Sequence, residues 1–461
     1  MKKILLLILI VTATCRLTSA QYTKIFDFDG PNSGSWPQFD QGLVSDGTFL
    51  YGLTNTGGTN DFGTAFKIMP DGTGYMKLMD FTGTANGHHP CGSFTFDGTY
   101  LYSTTAGGGA NNAGTIFKIM PDGTGYQKLL DFVHNTSGYG ATGHLTFDGT
   151  HIYGMTQEGG TYDYGTIFKI QTNGTGFTTL LNFNGTNGTY PFGGLVTDGT
   201  YLYGMTRYAG VNGNGAIFKI MPDGTGFSRI FDFGDTLTGM RPSGSLAYDG
   251  ANLYGMTPIG GLNNMGVIFK VATDGTNFTK LHDFSGTADG DGPEGTLLVL
   301  GQTLYGMTYE GGANNKGAIF KIEKDGTNFV NMLDFVLGTT TGCNSMGSLT
   351  SDGFYLYGMT HSGGTSNKGV IFKMDLGVGI DANDFMQHLF VSPNPFENTV
   401  TLIGTSGEGE ITLYDIAGKE LLRLASLNES TDINTEKLFA GYYFVRYQDR
   451  EKTGVFRMMK F

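Results

Sequence analysis

Three groups of residues in this 461-residue sequence have the type and spacing to do chemistry. The first is a pair of adjacent positions that recurs behind a Tyr-containing motif and changes character each time: Asn55-Thr56, Ala106-Gly107, Gln157-Glu158, Arg207-Tyr208, Pro258-Ile259, Tyr309-Glu310 and His361-Ser362. One structural position offering amide, guanidinium, phenol, carboxylate and imidazole in turn suits ligand recognition on loops held by a rigid scaffold; drift on a tolerant surface is the competing reading. Gln157, Glu158, Arg207, Tyr208, Tyr309, Glu310 and His361 are therefore the ligand-binding candidates. Trp36, the only Trp, joins them, since an indole stacks on a sugar or a partner as readily as it wedges against a neighbouring element. The second group is carboxylates: Glu158, Asp163 and Glu310 would serve a glycosidase only if the fold brought a pair together. The third is metal-like. His88-His89 beside Cys91 lacks any CxxC or HxxxH spacing, and Asp-Gly loops such as Asp71-Gly72 and Asp122-Gly123 offer one carboxylate each where calcium asks for about six to eight oxygens. Those Asp-Gly pairs read as turns. With no P-loop, dinucleotide fingerprint, nucleophile elbow or HExxH, the expectation is no metal, no cofactor and no catalytic residue.

The elements that must position these residues are repeated. A motif (L/I)-Y-(G/S) places Tyr51, Tyr102, Tyr153, Tyr203, Tyr254, Tyr305 and Tyr357 at steps of 50 to 52 residues. Each is followed by (A/I)-F-K, at Phe66, Phe117, Phe168, Phe218, Phe269, Phe320 and Phe372, and a third motif ends in Asp-Phe or Asn-Phe, from Asp27-Phe28 to Asp334-Phe335. In the second full repeat the apolar runs Gly92–Phe96, Tyr100–Thr105, Thr115–Met120 and Tyr126–Phe132 read as four strands, a to d. Asp-Gly turns join a to b and c to d, the strongest short hairpin signal. Four antiparallel strands in about fifty residues fit a propeller blade, and nothing leaves room for helices. The expected fold is all-β: a seven-bladed β-propeller of four-stranded blades over residues 21–375. The repeat starts with a lone d strand, Tyr22–Phe28, and ends with a lone a-b-c set, so pairing of Tyr22–Phe28 with Ile371–Met374 would close the ring and remove its open edges.

Glycine at 76 residues, 59 Phe and Tyr, and only 15% charged residues fit tight turns between buried strands and exclude a disordered chain. A net charge of -13 with no basic run argues against a nucleic-acid partner. Lys2 and Lys3, the apolar Ile4–Val11 and Thr18-Ser19-Ala20 form an export signal over residues 1–20, too short to span a bilayer, and no transmembrane segment is expected after its removal. Cys91 and Cys343 fall in d–a loops with one blade between them, and two free, partly buried thiols are expected rather than a bridge.

The run G-x-(I/V)-F-K-(I/V)-x-x-D-G-T, preceded by LYGMT and a Gly-Gly turn, resembles the GloVer-type tandem repeat family of secreted bacterial proteins, a resemblance that implies no activity. After a linker at 376–388, residues 389–461 form a small β-sandwich of immunoglobulin-like character, with alternating runs at 399–403, 410–414 and 442–447. This module resembles the C-terminal sorting domain of type IX secretion cargo. The carrying residues are Pro393-Asn394-Pro395, Leu413-Tyr414-Asp415 with Gly418-Lys419, and Gly441-Tyr442. The resemblance implies the type IX machinery as a partner and the extracellular space or outer-membrane surface of a Gram-negative bacterium as destination. A binding module for glycan or protein, a carbohydrate-active enzyme with carboxylates at the channel mouth, and a coat protein without specific ligand are the functions carried forward.

Overall fold

Gly52 of Leu50-Tyr51-Gly52 lacks a side chain for a steric reason: a Cβ there would sit 2.5 Å from the ring of Phe66 on the adjacent strand. The same apposition recurs at Gly154 with Phe168, Gly204 with Phe218, Gly255 with Phe269, Gly306 with Phe320 and Gly358 with Phe372. The Tyr-Gly and Phe-Lys motifs are thus two halves of one antiparallel pair, strands b and c. Strand d follows across the Asp-Gly turn, whose Asp accepts the N–H and hydroxyl of the Thr two residues on, as Asp71 does from Thr73 at 2.8 Å. The turn Asp between a and b takes the Tyr hydroxyl of strand b, as Asp148 does from Tyr153 at 2.7 Å.

The computed structural model describes residues 21–38, 40–234 and 236–376, and in the C-terminal part 390–392, 398–403, 409–415, 420–426, 430–438, 441–448 and 453–460. The expected export signal at 1–20, positions 377–388 of the expected linker, and Pro393, Asn394, Pro395, Gly418 and Lys419 lie outside these residues; Gly441 and Tyr442 are described as strand only. The described residues are all-β, with no helix among them. The chain divides between Leu376 and Gly377 into two compact units.

The larger unit contains seven antiparallel sheets among its described residues, six with strands in the order a-b-c-d. The first comprises Val44–Ser45, Leu50–Thr54, Thr64–Ile68 and Met76–Asp80. In the second, His88–Pro90 also pairs with Leu101–Gly107. The last sheet has Thr350–Ser351, Tyr355–Thr360 and Val370–Asp375, and its fourth strand is Tyr22–Asp27, paired from Tyr22 with Met374 to Asp27 with Val370. Asp27 there takes the N–H of Thr365 at 3.0 Å, the same capping contact that Asp80 makes with Thr59 at 3.1 Å in the first sheet.

The sheets pack through the Phe that ends each d strand. It meets the Phe of the next sheet's strand c edge-on, from Phe81 with Phe117 to Phe335 with Phe372, at 5.3–5.9 Å between centroids. Phe28 makes the corresponding contact with Phe66 at 5.5 Å, from the last sheet to the first. These rings are fully buried, and each contributes about 1.5–3 kcal/mol from burial alone.

Strand a is shorter than its apolar run suggests, Thr95–Phe96 where Gly92–Phe96 was expected. The run's first residue belongs instead to a glycine collar. A Cβ on Gly92 would lie 2.5 Å from the carbonyl oxygen of Gly143. Equivalent approaches run from Gly143 to Gly193, Gly193 to Gly244, Gly244 to Gly295, Gly295 to Gly347, and Gly347 to the carbonyl of Gln41, at 2.1–2.4 Å.

In the smaller unit Phe390–Ser392, Thr399–Ile403 and Ser430–Asn434 form one sheet. Gly409–Asp415, Glu420–Ser426, Gly441–Gln448 and Thr453–Lys460 form a second. Val400, Leu402 and Ile433 of the first share a core with Ile411, Leu413, Val445, Tyr447 and Met458 of the second.

Candidate functional site

On the face carrying the b–c and d–a loops, the variable pairs are set by one repeated backbone arrangement. Glu158, Tyr208 and Glu310 each form a two-bond bridge with the preceding d–a loop, at Tyr139, Thr189 and Asp291. The residue before each donates its N–H to the same loop: Gln157 to Gly140, Arg207 to Tyr190 and Tyr309 to Gly292, at 3.1–3.2 Å. The acceptors belong to a second ring of variable residues, one per d–a loop, all in the left-handed region. They are Trp36, His89, Gly140, Tyr190, Arg241, Gly292 and Asn344, with φ between 52° and 69°. Non-glycine residues there are held against a steric preference, a condition concentrated at functional sites. Their N–H groups reach the b–c loop of the neighbouring repeat: Trp36 to Lys368, His89 to Phe62, Tyr190 to Tyr164, Arg241 to Asn214 and Asn344 to Lys316, at 2.8–3.1 Å. Apart from Trp36, sequence reasoning missed this ring. The available signal was the Pro that follows at Pro37, Pro90, Pro191, Pro242 and Pro293.

The predicted residues fall into two sectors. In one, the Arg207 guanidinium lies 4.6 Å from the ring centre of Phe192 and 6.0 Å from that of Tyr208. Its Nε is buried without a hydrogen-bond partner among the described residues. Arg241 reaches the same Tyr208 ring at 5.3 Å, and Tyr190 meets it edge-on at 5.9 Å. Glu158 acts on the Tyr190 hydroxyl, which burial first and the Glu158 charge second push upward. Tyr309 and Glu310 join through Glu294: burial raises the Glu294 carboxyl, Arg207 pulls it part of the way back, and Glu310 adds to the rise. Asp291 is likewise raised, by burial and then by Glu310.

The second sector holds Trp36 and His361, whose rings lie nearly parallel at 6.1 Å. Lys368 Nζ sits 4.0 Å from the indole, so Trp36 wedges against the last repeat's b–c loop. His361 is lowered by burial, with Gln38 Nε2 at 3.2 Å and Ser362 Oγ at 2.7 Å. Gln157 is half-buried, and its side chain joins neither sector through a hydrogen bond or ring contact among the described residues.

Of the carboxylates considered for catalysis, Asp163 turns back on its own loop, accepting the Gly159 N–H at 3.1 Å with His134 at 3.5 Å. Asp291 and Glu294 are instead the acids near Glu310. His88 and His89 face different partners, Asn112 Oδ1 and the Asn55 carbonyl. Cys91 and Cys343 are free and buried.

A third group, unanticipated, lies inside the glycine collar. The residues following the collar glycines are Ser93, His144, Gly194, Ser245, Thr296 and Ser348. Asp40, 3% exposed, projects from the first d–a loop and gathers four of them. Its carboxylate accepts Ser245 Oγ at 2.6 Å, Thr296 Oγ1 at 2.6 Å, Ser348 Oγ at 2.5 Å and His144 Nδ1 at 3.2 Å. Each hydroxyl also accepts an N–H from the preceding repeat: Gly194 to Ser245, Ser245 to Thr296 and Thr296 to Ser348. Burial alone would raise Asp40, but the His144 bond and charge and the hydroxyl donors outweigh it and hold the carboxyl low. His144 is raised: burial opposes, and Asp40 with the Leu195 carbonyl prevails.

Fold and loop face together define a propeller-like repeat protein joined to a small C-terminal β module. The chain belongs to the Gloeobacter/Verrucomicrobia repeat family, whose model matches residues 12–210, 93–258 and 197–390. Residues 391–460 match the secretion system C-terminal sorting domain, which points to type IX secretion and makes this a secreted or cell-surface protein. Comparison with curated sequences finds no match.

Among solved structures the chain is similar to PorZ, an essential bacterial surface component of the type-IX secretion system of Porphyromonas gingivalis. Identity is 15% and TM-score 0.48, covering 94% of this chain and 60% of that one. It is also similar to the extracellular domain of BT4673 from B. thetaiotaomicron, at 12% identity and TM-score 0.49, covering 96% and 58%. A third likeness is to the nidogen/laminin complex, at 16% identity and TM-score 0.38, covering 72% and 97%. The chain thus spans about 60% of the length of PorZ, and none of these likenesses bears on activity.

Proposed function

We propose that residues 21–375 form a seven-bladed β-propeller closed by the N-terminal strand. The propeller is displayed at the outer-membrane surface of a Gram-negative bacterium and binds a glycan, without catalysis, through its loop face. Closure is supported by three contacts from the last repeat to the first: the Tyr22–Asp27 pairing, Phe28 on Phe66, and Gly347 on Gln41. Residues 389–461 serve as the sorting module after a linker at 376–388, and their deletion should leave the chain in the periplasm.

The binding reading is carried by the contrast between faces. One face repeats Asp-Gly turns almost unchanged; the other holds two backbone-fixed rings whose residues vary between repeats, glycine recurring in the second at Gly140 and Gly292. The test is a glycan array with the chain from Gln21 to Phe461, repeated after Arg207→Ala with Tyr309→Ala. Retention of one glycan class, lost in the double variant, is expected. A folded chain that retains no glycan overturns the reading and directs the search to protein partners.

Glycoside hydrolysis is favoured by one observation, the raised carboxyls of Asp291 and Glu294 beside Glu310. Release of reducing ends from a bound glycan, abolished in Glu294→Gln, would select it.

A further inference from the structure

Three arginines occur between residues 21 and 376, and two of them converge on one phenol. Arg229 is engaged on its strand, with Asp232 at 3.5 Å and the Thr186 carbonyl at 2.9 Å. Arg207 and Arg241 make no side-chain hydrogen bond or ion pair among the described residues, although the chain carries a net charge of -13. Both guanidinium groups are held instead by aromatic faces, Arg207 by Phe192 and both by Tyr208. A buried guanidinium N–H without an acceptor carries an uncompensated desolvation cost, and Arg207 Nε is in that state. Stacking fixes each planar fork while leaving its edge free, which is how arginine is prepared for a planar anion.

Resting on the glycan-binding reading of this face, we propose that the sector built on Tyr190, Arg207, Tyr208 and Arg241 takes an acidic saccharide. It is a uronate-type polymer whose carboxylates are held by the two guanidinium groups.

The surroundings fit a polyhydroxylated ligand. Next around the ring after Arg241 stands Gly292, where a Cβ would meet nothing within 4 Å, so the face is open there. Asp291, Glu294 and Glu310 flank that opening, and the Glu310 charge acts on both of the others. Carboxylates accept hydroxyl protons, and Tyr164, exposed and edge-on to Tyr190 at 6.1 Å, offers a ring for a pyranose to stack on. A peptide finds less. The backbone at Thr189, Tyr190, Arg207 and Tyr208 is already paired within the loops, leaving no strand edge to extend. A neutral glycan would use the acceptors and rings but leave both guanidinium groups without a charged partner.

The test measures binding of a galacturonate oligomer to the chain from Gln21 to Phe461 by calorimetry, beside its carboxyl-reduced, neutral counterpart and poly-glutamate. Salt-sensitive binding of the uronate is expected, weakened at least ten-fold by Arg241→Gln and by Arg207→Gln, and unchanged by Arg229→Gln. Arg241 is exposed, so its variant keeps the test valid if Arg207→Gln disturbs folding. Equal binding of the carboxyl-reduced oligomer overturns the acidic-saccharide inference and leaves the glycan reading standing. Poly-glutamate binding that disappears in the same variants overturns it in favour of an acidic protein. A folded chain that binds no saccharide, acidic or neutral, overturns both.

Discussion

The Asp40 carboxylate lies 3.2 Å from His144 Nδ1, across 104 residues of sequence, inside a collar of glycines. The pair makes stability depend on pH from both sides. His144 is raised in the folded state, so its contribution is complete below about pH 6.5 and is lost as pH climbs through the raised value. Asp40 is depressed, so its contribution is complete above about pH 4 and is lost as pH falls through the lowered value. Urea midpoints between pH 5 and 9 should therefore decline on the alkaline side. His144→Gln should flatten that decline; an unchanged slope would remove His144 as its source.

Removing the carboxylate itself should be harsher. Asp40→Ala leaves the hydroxyls of Ser245, Thr296 and Ser348 and the His144 ring without their shared acceptor. Breaking a buried charged pair from one side costs about 3–5 kcal/mol. Asp40→Asn keeps one acceptor oxygen and should cost less. The check is a denaturant titration in which the midpoint falls and the slope stays constant; equal stability of Asp40→Ala and the parent would show that the hydroxyls find other partners.

Two glycines separate steric need from backbone need. At Gly244 a Cβ would lie 2.2 Å from the Gly295 carbonyl oxygen, with no positive φ involved. At Gly149 φ is +96° and nothing lies within 4 Å. Gly149→Ala should cost about 1–3 kcal/mol, from dihedral strain alone. Gly244→Ala must push adjacent repeats apart at the collar and should cost more, or prevent folding. A comparison of thermal midpoints decides it, and Gly244→Ala as the milder of the two would contradict the collar contact.

The thiols offer a probe of the same interior. Burial pushes the Cys91 thiol up to about 12 even though Asn55 Nδ2 donates to its sulfur. Cys343 is raised by burial as well. Neither should react with a disulfide reagent at pH 8 in the folded chain, and both should react once urea unfolds it. Fast labelling of the native protein would mean that the d–a loops open readily.

What the sequence made legible is what every repeat demands alike. Gly, or Ser103 in the second repeat, faces Phe between strands b and c, Asp-Gly makes most of the turns, and a closing Phe meets the next sheet, so these residues recur at fixed steps and announce the strands. Asp40 answers a demand made once, at the centre, and a residue needed once leaves no periodic trace. The left-handed positions at Tyr190 and Arg241 are set by conformation rather than residue type, so only the following Pro hinted at them. Arg207 and Tyr208 stood out because their b–c loop is anchored to a recognisable motif. Arg241 and Glu294 stayed hidden in d–a loops that share no such anchor.

The N-terminal strand provides the last prediction. Tyr22–Asp27 covers the outer edge of Val370–Asp375, and Phe28 fills the contact with Phe66. Deleting residues 21–28 would expose Val370–Asp375 as an unpaired edge and open a buried aromatic face, a combination that invites pairing between chains. The shortened protein should sediment as oligomers and unfold at a lower temperature. A peptide of sequence Gln21–Asp29 supplied in excess should bind the open edge and restore the monomer, because backbone pairing to a preformed sheet needs no covalent link. A shortened chain that stays monomeric and keeps its thermal midpoint would show that the strand decorates the last sheet without closing the ring.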